Sequence, residues 1–182
     1  MGERICALLG VVGPLVAYVS IGVSIGLSPW FSWGKNALSD LGHAVKSGVA
    51  PIFNFGLLLT GFLVTIYAVM VLRRYARWTG YGLAVSAFTL QLVATFDEVY
   101  GLLHLAVSVL FFVSLGFTTI LYAAERKSSL ALLSVIVYLL SWVLYWAGIY
   151  RAGVAVPEFV STVAVLPWIV SSALEIALAK TR

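Results

Sequence analysis

Residues 102–123 read LLHLAVSVLFFVSLGFTTILYA. No charge interrupts this stretch, and at about 1.5 Å per residue a helix of this length crosses a hydrocarbon layer of about 30 Å. A soluble helix would set a polar stripe opposite its apolar face. Here one histidine and a few hydroxyls are scattered among Leu, Val and Phe, as in a segment with apolar surroundings on most sides. Arg126-Lys127 closes the run as an interfacial anchor.

Five further runs of the same kind flank it, at about 5–27, 51–72, 78–96, 128–150 and 156–179, with a long connection at 28–50. The sequence therefore predicts an all-α integral membrane bundle of about six transmembrane helices, a single domain over residues 1–182. Composition agrees: the 182 residues are 62% hydrophobic and only 10% charged, against about 25% charged in soluble domains. A water-soluble fold would lack the polar residues to cover its surface. The run at 5–27 exceeds the h-region of a signal peptide and reads as a retained first helix. The single cysteine, Cys6, supplies neither an intrachain disulfide nor a thiolate metal cluster.

Lys and Arg divide unevenly between the two ends of these helices. Arg4, Arg73, Arg74, Arg77, Arg126, Lys127, Lys180 and Arg182 fall on one side, and Lys35, Lys46 and Arg151 on the other, which accounts for all 11. Basic residues are retained on the cytoplasmic side, so both termini are expected there, in a multi-pass cell-membrane protein of bacterial or archaeal type. Single charges and short clusters at helix ends match anionic headgroups rather than nucleic acid, which would need a basic stripe. Trp30, Phe31, Trp33, Tyr100, Trp146 and Tyr150 at the outer ends, and Tyr75, Trp78, Tyr81 and Tyr122 at the inner ends, read as interfacial belts. Gly22 and Gly26 form a small-xxx-small step expected to pack within the chain. Pro14 and Pro167 predict kinks in the first and last helices. No internal repeat with paired broken helices supports a secondary transporter.

The polar residues collect outside. Four of the seven acids, Asp40, Asp97, Glu98 and Glu158, and both histidines, His43 and His104, belong to the outer face. Asn54, Gln91 and His104 lie just below it. Gln91, Thr95 and Glu98 share one stripe by i, i+4, i+7 spacing, and His104 and Ser108 share another. Polar groups at this depth are costly in lipid and are expected to face the bundle interior or a water-filled recess. Carboxylates with imidazole suit general acid and base work, for which His104, Asp97, Asp40 and Glu158 are the candidates. They also suit a divalent cation, with His104, Asp97 and Glu98 as candidate ligands. Asn54, Gln91, Glu98 and Ser39 are candidate substrate-binding groups. Each has a structural alternative: Asp40 or Ser39 as a loop cap, Asp97 and Glu98 as turn residues, His104 bonded to a neighbouring helix, and Glu158 in a first helical turn after Pro157. No phosphate-binding loop and no pair of buried histidines points to nucleotide or haem. Glu175, near the inner end, is expected to pair with Lys180 or a basic loop.

The string Asn36-Ala37-Leu38-Ser39-Asp40-Leu41-Gly42, then Phe53-Asn54-Phe55-Gly56-Leu57 with Gly61, resembles the signature of the domain of unknown function 998 family. Phe96-Asp97-Glu98, His104 before Phe111-Phe112, and Val156-Pro157-Glu158 extend the resemblance over nearly the whole chain. It implies a six-helix bacterial or archaeal membrane protein and marks the same outer residues, without supplying an activity. The Leu-Ser-Asp-Leu-Gly loop also has a fainter likeness to the Frag1, DRAM and Sfk1 group, linked to lipid and membrane homeostasis.

Three functional classes fit. The first is a recessed extracytoplasmic polar site for a lipid headgroup or cation, in a catalytic or a purely binding version. The second is a non-catalytic accessory subunit docked to other membrane subunits. The third is a channel or transporter, which would need a continuous polar path that the inner halves of the helices do not offer.

Overall fold

The computed structural model describes residues 2–149 and 151–179; Tyr150, Lys180 and Arg182 lie outside the described residues. Six long helices are present among these: α1 Gly2–Gly26, α2 Ala50–Tyr75, α3 Arg77–Thr95, α4 Leu102–Arg126, α5 Ser129–Trp146 and α6 Ala155–Leu178. Each packs on its neighbours in sequence, and α6 closes the ring against α1, with α4 against α5 the thinnest of these contacts. The Arg4 guanidinium donates to the Ala179 carbonyl at 3.1 Å, so the first and last helices start and finish at the same end of the bundle. We call this the basic end and the opposite one the loop end.

Five of the six helices are long and apolar enough to cross a membrane. The chain is therefore membrane-embedded. The exception is α3, whose polar residues lower its hydropathy. They turn inward: Thr79, Ser86 and Thr89 are fully buried, and Ser86 and Thr89 donate to the carbonyls of Gly82 and Ser86 at 3.0 and 2.9 Å. Wedged between α2 and α4, α3 has its hydroxyls surrounded by protein rather than lipid.

Helix ends depart from expectation where local chemistry intervenes. The last turns of α2 widen into a π-helical stretch, Ala68–Leu72, before the chain breaks at extended Ala76. Gly80 makes the following hairpin tight, since a Cβ there would stand 2.6 Å from the Arg73 amide nitrogen. We expect Gly80→Ala to open this hairpin at a cost of about 1–3 kcal/mol, measured as a lower unfolding midpoint in detergent. The expected fifth helix, 128–150, stops early at Trp146, and Gly148, with φ of 67°, turns the chain back.

The Gly22 and Gly26 step does not pack within the chain: nothing lies within 4 Å of a Cβ built on either residue. Close helix contact falls instead on Gly10, Gly13, Gly56 and Gly61, where added Cβ atoms would strike Tyr67, Val64, Ser20 and Ala87. Pro14 and Pro167 both sit inside continuous helices. At the basic end, Glu125 caps α3, accepting from the amides of Trp78 and Thr79 at 2.9 and 2.8 Å. Glu175 accepts from the Tyr75 hydroxyl at 2.6 Å; its expected partner Lys180 lies outside the described residues.

Candidate functional site

The loop between α1 and α2 is pinned rather than free. Its 3₁₀ turn, Ser39–Gly42, is held from below by the Asn54 amide, which donates to the Gly42 carbonyl at 2.8 Å. From the side, the amides of Gly153 and Ala155 donate to the Trp33 and Asn36 carbonyls at 2.9 and 3.0 Å. Trp33 also sets its ring edge-on to Phe159 at 5.3 Å, so it anchors the loop on α6 besides marking an interface.

This turn gathers three acids. Glu158, buried at the start of α6, accepts from the Leu38 amide at 2.7 Å. Glu98, in the turn before α4, accepts from the Ser39 hydroxyl at 2.7 Å. Asp40 accepts from the Asn36 side chain at 2.7 Å and from the Ala37 amide at 3.0 Å. Burial works against ionising Asp40, and hydrogen bonds from Asn36, Glu98 and the Ala37 amide outweigh it, holding this carboxyl below its usual range. Burial, joined by the Asp40 charge, holds the Glu98 carboxyl above its usual range. As pH rises, Asp40 is thus the first of the pair to ionise and Glu98 the second.

The sign of this shift yields a prediction. A carboxyl raised in the folded state stabilises the fold least after pH has risen through its folded value. Glu98→Gln, which fixes the neutral form, is expected to unfold at a higher temperature than the wild type at pH 8, with the gap closing toward pH 4. Parallel melts across that range check it.

His104 completes the mouth. The Phe96 carbonyl can only accept, so the hydrogen bond at 2.7 Å places a proton on Nδ1. In the neutral ring Nε2 is then an acceptor, to which the Ser108 hydroxyl donates at 3.3 Å. His104 and Ser108, one helical turn apart on the same stripe, are thus hydrogen-bonded to each other. The other candidates do not join the cluster. Asp97 turns back to cap its own turn, accepting from the Val99 amide at 2.8 Å. Asn54 pins the loop, and Gln91 packs beside Gly61 with its amide 3.4 Å from the Ala87 carbonyl. Thr95 bonds the Gln91 carbonyl at 2.7 Å, and α3 ends there, so Glu98 leaves the predicted stripe. Among the described residues no three His, Cys, Asp or Glu side chains gather to hold a metal ion; Asp97, committed to its own turn, does not close a set with His104 and Glu98.

Beneath the mouth α4 and α5 separate. A cavity of about 810 Å³ runs between them, with Ser39, His43, Lys46, Glu98, His104 and Glu158 at its loop end. Phe112, Val113, Phe117 and Ile120 of α4 face Val135, Leu139 and Trp142 of α5 along its length. The Tyr138 hydroxyl bridges the helices, donating to the Phe112 carbonyl at 2.6 Å. Val113, Phe117 and Leu139 remain more than half exposed, so the groove opens sideways, toward the surroundings of the bundle. A smaller interior cavity of about 140 Å³ shares Ser39, Ser108, Phe112 and Glu158 with it. Sequence reading missed Asn36 and the groove walls, because the parting of two helices leaves no mark in the periodicity of either.

Fold and site define a polytopic, all-helical membrane-embedded protein with a polar recess at one end of the bundle. The chain belongs to the family described as protein of unknown function, DUF998, whose sequence profile matches residues 11–175. No curated protein and no solved structure gives a significant match.

Proposed function

We propose that this protein binds a membrane lipid in the α4–α5 groove, with the headgroup at the Ser39, Glu98, His104 and Glu158 mouth and an acyl chain along Phe112, Val135 and Leu139. The reading rests on one observation, the continuity of a polar mouth with an apolar, laterally open slot. A soluble ligand has no use for the slot. A lipid matches both parts, because its headgroup takes the hydrogen-bonding groups while its tail packs against the apolar walls. The excess of basic residues at the end carrying the termini supports placing that end in the cytoplasm and the mouth on the extracytoplasmic side.

A phospholipid carrying a diazirine midway along its acyl chain, in phosphatidylcholine nanodiscs, tests this reading. Peptides containing Val113, Val135 and Leu139 are expected to carry label well above the lipid-facing side of α1. Uniform labelling of all outward faces would refute it.

A further inference from the structure

The mouth is short of positive charge. Asp40, Glu98 and Glu158 converge on one turn, yet among the described residues the ion pair found, Glu3 with Arg74 at 3.3 Å, lies at the opposite end. Each of the two acids lining the groove spends one oxygen on a loop donor, Glu98 on Ser39 and Glu158 on Leu38. Glu158 is 9% exposed and lines both cavities, and among the described residues the hydrogen bond its carboxyl accepts, from the Leu38 amide, falls on one oxygen alone. A carboxyl so deeply buried ionises without a large penalty only beside a countercharge. The acids are not grouped as ligands of one metal ion, whereas an ammonium group needs no tight coordination shell and donates its three hydrogens in separate directions. The same mouth carries Lys46 and His43, placing donors suited to an anion beside the acids.

Resting on the lipid-binding reading, we infer that the bound lipid has a zwitterionic, amine-bearing headgroup, with its ammonium at Glu98 and Glu158 and its phosphate toward Lys46 and His43. Such a headgroup supplies the missing countercharge and leaves the net charge of the mouth unchanged. An anionic headgroup of similar size would bring its charge against two carboxylates without that compensation.

The protein in nanodiscs of equimolar phosphatidylethanolamine and phosphatidylglycerol, released into native mass spectrometry, tests this. The wild type is expected to retain phosphatidylethanolamine over phosphatidylglycerol by about tenfold, corresponding to about 1.4 kcal/mol. In the Glu98→Gln, Glu158→Gln double variant the ratio is expected to fall toward one. Bound lipid in the wild type with no preference, or with phosphatidylglycerol favoured, overturns the headgroup assignment and leaves the groove standing. No bound lipid in the wild type overturns the groove itself, and this inference with it. The decisive comparison is made on the wild type, so it does not depend on the double variant folding.

Discussion

Filling the groove is expected to strip the bound lipid from the protein without unfolding it. Gly116 of α4 and Val135 of α5 both line the slot between these helices. A Cβ on Gly116 already lies 3.1 Å from the Tyr138 ring. Gly116→Phe with Val135→Trp puts two aromatic rings where the acyl chain would lie and leaves Glu98, His104 and Glu158 untouched. Bilayer hydrocarbon is as apolar as the slot, so the tail gains little from the hydrophobic effect on entering it. Its affinity comes from packing and from the headgroup contacts that only a seated tail allows. Losing the seat is expected to lower lipid retention by about tenfold or more, since each 1.4 kcal/mol is a factor of ten. The lipid-facing variant Val85→Trp, 52% exposed at the start on α3, is expected to retain lipid as the wild type does. Lipid counted by mass in both variants, alongside their melting curves, checks the pair.

The largest loss of stability is expected at Trp168. This side chain is fully buried in the core of the bundle and stacks on Tyr122 at 4.6 Å with the rings 24° apart. Trp168→Ala removes that stack and leaves a void that the packed helices cannot close, at a cost of about 3–5 kcal/mol. The indole N–H is buried with no hydrogen-bond partner among the described residues. Trp168→Phe deletes this unsatisfied donor while keeping an aromatic ring against Tyr122, so it is expected to recover most of the loss. Thermal unfolding in detergent separates the two variants. An alanine variant as stable as the wild type would show that this packing carries no weight.

Much of the architecture is legible in the sequence because membrane helices announce themselves by the absence of charge. The runs around Leu102–Arg126 and Ala155–Leu178 are bounded within a few residues by their basic or proline-containing flanks. The polar residues of α3 are harder to read, since Thr79, Ser86 and Thr89 face neighbouring helices and lower a hydropathy that counts composition but not direction. Gly22 and Gly26 misled because spacing alone does not say which face of α1 meets the bundle.

The candidate site divides in the same way. That the acids and His104 belong to one end follows from topology, and it is why Ser39, Asp40, Glu98, His104 and Glu158 are all nameable from sequence. Which of them meet does not follow. The bond from the Leu38 amide to Glu158 joins residues 120 positions apart, while adjacent Asp97 and Glu98 part ways, one into its own turn and the other to Ser39. The groove depends on how far α5 leans from α4, a tertiary property with no local signature.

The central claim is tested most directly by native mass spectrometry of the protein extracted gently from its own membrane without chelators. The account predicts a lipid adduct that survives detergent removal and is lost in the groove-filling variant. A wild-type chain that flies without lipid, or whose lipid persists unchanged when the groove is filled, would contradict it.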